Sequence, residues 1–154
     1  MGDPEHRSHS AGFVNHLRLS VSDIAAADRF YDPLMRCLGF SRAPRDDGGL
    51  AWGTMDASGR MQWLILTPSP AELPRLRQTD TAPGLHHIAF NARDRAHVDR
   101  VHDMLRQQSA EILEPPGEYD DEPHCYAVFF RDPDGVKLEV LHVRLDSAGR
   151  TGER

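Results

Sequence analysis

The sequence contains no apolar run as long as the roughly 18–20 residues that a membrane-spanning helix needs. Its N-terminus also lacks the apolar stretch of a signal peptide. Only two cysteines are present, Cys37 and Cys125, so we expect no disulfide framework. Basic residues are fewer than acidic ones: the chain has 18 lysines and arginines and 24 aspartates and glutamates, which gives a net charge of -6. These absences predict a cytoplasmic protein that binds neither a membrane nor nucleic acid.

Enough apolar residues are present for one folded domain. The chain has 154 residues, of which 39% are apolar and 27% are charged, as is typical of a globular protein. A chain of this length buries roughly 68–70% of the surface that it exposes when unfolded. We therefore expect it to fold without help from a disulfide or a structural metal.

An internal repeat divides the chain into two similar halves. Residues 13–34 align without gaps on residues 84–105, with seven identities. One of the identical pairs is His16 with His87. Because chance alone would give one or two identities, we interpret the two halves as a duplicated unit.

Each half predicts a strand, a helix and two or three further strands. Alternating apolar residues predict the opening strands, in VNHLRLSV and LHHIAFNA. Ser22 or Asp23 caps the first helix, Gly39 ends it, and the second helix begins near Asp94. Closing strands are expected near residues 50–55, 60–67, 125–131 and 136–143. The prediction is an α+β fold in which two tandem βαβββ modules form a curved mixed sheet around a cavity.

The same pattern predicts how the chain is organised along its length. A single domain over residues 13–145 contains both modules, and a tail flanks it at each end. The expected segments are an N-terminal tail (1–12), module one (13–67), a linker (68–83), module two (84–145) and a C-terminal tail (146–154).

Three side chains on separate strands are predicted to point into the cavity. The apolar residues of each opening strand face its helix, so His16 and His87 face the cavity and His86 does not. Glu139 lies among apolar residues in the last strand, VKLEVLHV, where an ionised carboxylate needs a partner or a cation. Two imidazoles and one carboxylate on three strands are typical of a divalent-metal site with open positions.

Taken together, these segments resemble the vicinal oxygen chelate superfamily, the group of glyoxalase I, fosfomycin-resistance thiol transferases, extradiol dioxygenases and bleomycin-resistance proteins. The resemblance covers about residues 13–143 and is carried by the segments NHLRLSV, HHIAF, FYDPLMRCLGF and FFRDPDGVKLEVLHV. It implies paired βαβββ modules around one divalent ion, which is Zn, Fe, Mn or Ni. His16, His87 and Glu139 fall on family ligand positions. The resemblance leaves open whether the site closes within one chain or across a homodimer.

Departures from individual family members narrow the expected chemistry. Glyoxalase I has a fourth ligand on the last strand of the first unit, where this chain has Trp63 or Ile65, and neither side chain binds a metal. Fosfomycin-type enzymes have a threonine where this chain has Arg18. Extradiol dioxygenases have a catalytic tyrosine on the strand before the glutamate ligand, where the nearest matches here are Phe129 and Phe130, with Tyr126 offset. They also have a further histidine, for which His124 is the candidate here.

The resemblance therefore implies a metal-dependent enzyme that holds vicinal oxygens of a small, oxygen-rich substrate, with lyase, isomerase or dioxygenase chemistry. Arg18 is a candidate clamp for an anionic substrate group. The Pro- and Gly-containing segment 115–127 reads as a loop that covers the cavity, and it brings Tyr126 and His124 near the substrate. The alternative is a small-molecule binding protein of bleomycin-resistance type, either metal-free or metal-stabilised.

Overall fold

The computed structural model describes residues 14–56, 58–70, 83–119 and 124–144. Within these residues, two helices and eight strands follow one another in the same order in both halves of the chain. The elements are β1 (His16–Val21), α1 (Ile24–Cys37), β2 (Ser41–Ala43), β3 (Leu50–Met55), β4 (Met61–Pro68), β5 (Ile88–Asn91), α2 (Arg95–Gln107), β6 (Glu111–Glu118), β7 (Cys125–Arg131) and β8 (Lys137–Val143).

The strands form two four-stranded mixed sheets, one from each half of the repeat. Their orders are β1-β4-β3-β2 and β5-β8-β7-β6. In each sheet the opening strand pairs in parallel with the closing strand, and the other pairs are antiparallel. The predicted α+β fold of two tandem modules is therefore confirmed. The modules keep separate sheets instead of merging into one curved sheet.

Both helices begin where the sequence predicts. The Asp23 carboxylate accepts hydrogen bonds from the main-chain N–H groups of Ala25 and Ala26, at 2.9 and 3.0 Å. Asp94 caps α2 in the same way. Helix α1 is followed by Gly39, whose φ of 86° lies in the left-handed region that glycine adopts without strain.

Each helix packs on one face of its own sheet. The predicted stripe of α1 is buried at Ala27, Phe30, Tyr31 and Leu34, and it meets the fully buried Trp52 in a shared core. The stripe of α2 is buried in the same way and packs near β8. Each sheet consequently keeps a second face, opposite its helix, on which functional side chains can lie.

The segment 115–127 is not the continuous loop that the sequence predicts. Strand β6 runs through Pro115 and Pro116 to Glu118, and β7 begins at Cys125. The prolines are accommodated because β6 is an edge strand, where a missing N–H costs little, and because the β6–β7 register is irregular beside them. Residues 120–123 lie outside the described residues.

Several predicted segments fall where the structure gives no description. Both tails and most of the linker, residues 71–82, lie outside the described residues. In the part of the chain that is described, no helix is long and apolar enough to cross a membrane.

Candidate metal centre

Two of the three predicted metal ligands meet in the second module. Glu139 lies on β8 and is only 5% exposed. His87 directly precedes β5, and the register Ala89↔Glu139 places both side chains on the sheet face opposite α2. The Nε2 atom of His87 lies 3.2 Å from the Oε2 atom of Glu139. The structure thus pairs a nitrogen and an oxygen donor, and the oxygen comes from a nearly buried carboxylate.

The other ring nitrogen of His87 is also in contact with a side chain. Its Nδ1 atom lies 2.7 Å from Nδ1 of His86, and the two rings meet edge to face with their centroids 5.0 Å apart. One nitrogen of this contact must be a donor and the other an acceptor. His86 therefore contacts the ring nitrogen of His87 that does not face Glu139.

Aromatic side chains surround this pair. Phe129 lies directly across from Glu139 in the β7–β8 ladder, and its ring centroid is 6.4 Å from that of His87. The ring of Tyr119 packs edge-on against Phe129, with centroids 5.3 Å apart. Lys137 places its Nζ atom 4.9 Å from the centre of the Phe129 ring. The pair therefore lies beside an apolar wall with a cation at its margin.

The third predicted ligand, His16, lies on the first sheet. It is exposed, and its Nδ1 atom is 3.0 Å from Oδ1 of Asn15. A cleft of about 290 Å³ has His16 and Trp63 on one side and β5 residues such as Ala89 on the other. Among the described residues, no three His, Cys, Asp or Glu side chains are close enough to hold a metal ion together. A single chain therefore brings together His87 and Glu139 without His16.

The strand register decides whether Trp63 or Ile65 is equivalent to the additional ligand of glyoxalase I. In the first module Arg18 pairs with Ile65, and in the second module the repeat-equivalent pair is Ala89 with Glu139. Ile65 therefore occupies the position in module one that Glu139 occupies in module two. An isoleucine side chain has no donor atom, so the carboxylate of module two has no counterpart in module one.

The three predicted catalytic residues belong to two different strand regions, with Arg18 on β1, Tyr126 at the start of β7 and His124 directly before it. Arg18 is exposed and lies on the same strand face as His16. Tyr126 lies on the opposite sheet face from Glu139, where its hydroxyl donates to Oδ1 of Asp99 at 2.8 Å. This hydrogen bond raises the pKa of Tyr126, and burial and the Asp99 charge add to the effect.

His124 precedes β7, is exposed and has a φ of 71°. Tyr126 is thus directed away from the pair formed by His87 and Glu139, and among the described residues His124 does not complete a three-residue donor cluster with that pair. Phe129 and Lys137 surround that pair instead. The signal that identifies them is the hairpin turn at residues 132–135, because counting outward from it places Phe129 opposite Glu139.

Comparison with known proteins agrees with this architecture. The family model described as Glyoxalase/Bleomycin resistance protein/Dioxygenase superfamily matches residues 13–140. The chain belongs to this superfamily. Among solved structures, the glyoxalase family protein from Enterococcus faecalis is 27% identical with a TM-score of 0.58, and the match covers 83% of this chain and 95% of that one.

Two curated proteins similar to this superfamily member illustrate its relatives. The uncharacterized protein YqjT from Bacillus subtilis (strain 168) is 26% identical over 133 residues, which cover 83% of this chain and 97% of that protein. Metallothiol transferase FosB from Lysinibacillus sphaericus (strain C3-41) is 32% identical over 141 residues, with 86% of both chains covered.

Proposed function

We propose that the protein is a divalent-metal-dependent enzyme that acts on a small, oxygen-rich substrate through two adjacent oxygens. The observation that carries the proposal is the approach of His87 Nε2 to Glu139 Oε2, at 3.2 Å. Such an enzyme would hold its metal through His87, Glu139 and His16, and it would leave open positions for the substrate.

The residues present fit a divalent ion. Glu139 is 5% exposed, and its strand neighbours Leu138 and Val140 are fully buried. A carboxylate in such surroundings is unfavourable unless it is paired or bound to a cation. Imidazole nitrogen together with carboxylate oxygen suits Zn, Fe, Mn or Ni. When bound, the ion would supply Lewis-acid stabilisation of negative charge that develops on a substrate oxygen.

Side chains around the pair would bind and orient the substrate. The Phe129 and Tyr119 rings would exclude water from one side of the site, and Lys137 would attract an anionic substrate group. The Tyr119 hydroxyl donates to the main-chain carbonyl of Pro115 at 2.5 Å, which fixes the orientation of its ring. Burial raises the pKa of Tyr119, and the charge of Glu114 adds to this effect, so the hydroxyl stays neutral near pH 7.

His16, the third proposed ligand, could join His87 and Glu139 in two ways. Within the described sheets, β1 and β5 are both edge strands, and the cleft beside His16 lies between them. Either this cleft closes within one chain, or β1 of a second copy brings its own His16 to the pair. We favour the second route, because the single chain keeps His16 away from His87 and Glu139.

Mixing two inactive variants distinguishes these routes. His16→Ala and Glu139→Gln are each expected to bind little metal. If two copies share each site, unfolding and refolding the variants together forms mixed dimers, and about a quarter of the sites regain a full ligand set. If each site lies within one chain, the refolded mixture binds no more metal than the separate variants.

The relatives support a metal-dependent reaction and indicate which reaction to test first. The proteins named metallothiol transferase FosB, from Lysinibacillus sphaericus and Shouchella clausii, are both 32% identical to this chain. Transfer of a thiol to a small electrophile is therefore the first reaction class in a substrate panel. Arg18 stands where fosfomycin-type enzymes have threonine, so we expect the electrophile to differ from fosfomycin and to carry an anionic group that Arg18 contacts.

Metal analysis of protein purified without added metal tests the proposal. We expect about one divalent ion per chain, loss of that ion in His87→Ala and Glu139→Gln, and turnover that a chelator abolishes. His102→Ala is the matched control, because it removes a histidine from the helix α2 and should keep the ion. Absence of metal from the wild-type protein, even after incubation with each candidate ion, would contradict the proposal and favour a metal-free binding protein.

A further inference from the structure

The indole of Trp63 lies flat over Gly53 of the neighbouring strand β3, a residue that has no side chain. Trp63 on β4 pairs directly with Gly53 on β3. A Cβ atom added at Gly53 would lie 2.6, 2.7 and 2.9 Å from the Cζ3, Cε3 and Cη2 atoms of Trp63. All three atoms belong to the six-membered ring, so that ring occupies the space above residue 53. Glycine at position 53 is what allows the indole to take this orientation.

This indole lies on the face of the sheet that bears the candidate ligand. Trp63 pairs with His16 in the parallel β1–β4 ladder, so the two side chains project from neighbouring strands on one face. The alternate residues Leu64 and Leu66 belong to the hydrophobic core on the other face. Trp63 is only partly buried, and it lines the same cleft as His16.

Trp52, the other tryptophan, has different surroundings from Trp63. Trp52 is fully buried, and its indole N–H donates to Oδ1 of Asp32 at 2.9 Å. Trp52 contributes to the core of module one, whereas Trp63 is partly buried and lines a cleft. A large aromatic ring that is partly exposed, fixed in orientation and placed beside a metal ligand is suited to contact a ligand.

We propose that Trp63 is a substrate-contacting residue that selects substrates carrying a flat apolar group, and that an aromatic ring stacks on its indole. This inference rests on the proposed function, because it is the metal near His16 that would place the substrate oxygens beside Trp63. Ile65 follows on the same strand face and extends the apolar surface, and its pairing partner Arg18 supplies a positive charge next to it.

Mandelate and lactate are matched probes for this preference. Both are 2-hydroxycarboxylates with the same charge and the same two adjacent oxygens, and they differ only in a phenyl or a methyl group. Titration calorimetry on the metal-loaded protein should show mandelate binding about tenfold more tightly than lactate. Mandelate should also quench the tryptophan fluorescence, because one of the two tryptophans lies in the cleft.

Two variants act on the ring by different routes. Trp63→Ala removes the indole, and Gly53→Ala displaces it by inserting a methyl group into the space that it occupies. Both should reduce the mandelate-to-lactate preference from about tenfold to about onefold and leave lactate affinity within about twofold of wild type. Trp63→Phe should retain an intermediate preference. Met55→Ala is the control, since Met55 is 61% exposed, lies two residues from Gly53 on the same strand face and pairs with Met61 instead of Trp63.

The outcomes separate this inference from the proposed function. Metal content and circular dichroism are measured on every variant, and all should match the wild type. Equal affinity for the two acids, binding of neither by metal-loaded protein, or a preference that survives in Trp63→Ala overturns the role of Trp63 and leaves the metal site intact. If the wild-type protein takes up no metal, the proposed function fails. The same phenyl-to-methyl ratio is then measured on metal-free protein and decides the role of Trp63 by the same criteria.

Discussion

The hydroxyl of Tyr31 donates a hydrogen bond of 2.8 Å to the carboxylate of Asp132, which joins helix α1 of the first module to the β7–β8 turn of the second. Both residues are buried. A second bond links the same parts of the chain, because the main-chain N–H of Ser22 donates to Oδ2 of Asp134 at 2.9 Å. Polar contacts therefore fix the position of one module against the other.

Removal of the Tyr31 hydroxyl should destabilise the whole domain. In Tyr31→Phe the buried Asp132 carboxylate loses its side-chain donor, which should lower the free energy of unfolding by about 1–3 kcal/mol. Urea denaturation monitored by circular dichroism measures this change. Tyr126→Phe is the control, because its hydroxyl bonds the exposed Asp99 and its loss should cost about 0.5 kcal/mol or less. Equal losses in the two variants would contradict a special role for Tyr31.

The stability of the protein should also depend on the protonation of Asp132. Burial raises the pKa of Asp132 above the ordinary value of 3.8, although hydrogen bonds from Tyr31 and the main chain of Val136 oppose the shift. The folded protein thus holds this proton more tightly than the unfolded chain does. The stability that this binding contributes is fully present below pH 3.8 and is lost as the pH rises through the raised folded-state pKa.

In the isosteric variant Asp132→Asn, the side chain at this position does not ionise. We therefore expect its free energy of unfolding, relative to wild type, to increase as the pH rises from below 3.8 towards neutrality. Denaturant titrations at a series of pH values measure the difference. Asp56→Asn should change in the opposite direction, because hydrogen bonds from Ser58 and Arg60 lower the pKa of Asp56 to about 2. A pH-independent difference between Asp132→Asn and wild type would contradict the prediction.

His86 should affect metal binding through its neighbour. Its Nδ1 atom contacts Nδ1 of His87 at 2.7 Å, so it orients the ring that faces Glu139. Removing a group that orients a metal ligand typically weakens affinity about 10–100-fold. We expect a loss of this size in His86→Ala and a larger one in His87→Ala, both measured by competition with a chelating dye. Unchanged affinity in His86→Ala would show that the contact does not orient the ligand.

Glu139 should couple metal binding to stability. At a free metal concentration about 100 times the dissociation constant, the wild-type protein should gain about 2.7 kcal/mol of stability. Glu139→Gln keeps the size of the side chain but removes the charge, so the same metal concentration should give little or no gain. Thermal unfolding with and without metal measures both effects. An equal gain in wild type and Glu139→Gln would show that the ion binds elsewhere.

Local patterns in the sequence predict the elements of this fold well. The repeat, the capping residues Asp23 and Asp94 and the strand alternation give both helices and most strands close to their observed bounds. The sequence does not predict strand β6, because prolines usually interrupt strands. Pro115 is tolerated in β6 only because this strand lies at the edge of its sheet. That position is a tertiary property with no local signal.

The site was harder to predict than the fold. Strand β7 is largely buried on both faces, so its composition does not disclose which residues share a face with Glu139. The β7–β8 register decides this, and it places Phe129 beside Glu139 and directs Tyr126 towards α2. The separation of His16 from His87 depends on how the modules pack, which contacts such as Tyr31–Asp132 fix and no sequence period encodes.

The contact between Gly53 and Trp63 has a consequence for how this sequence can change over evolution. A side chain at position 53 and an indole at position 63 exclude each other, because the first added carbon would overlap the ring. Substitutions at the two positions should therefore occur together: relatives with alanine or a larger residue at position 53 should carry a smaller residue at position 63. Positions 53 and 63 would then mark, within an alignment, which relatives share the substrate preference of this protein.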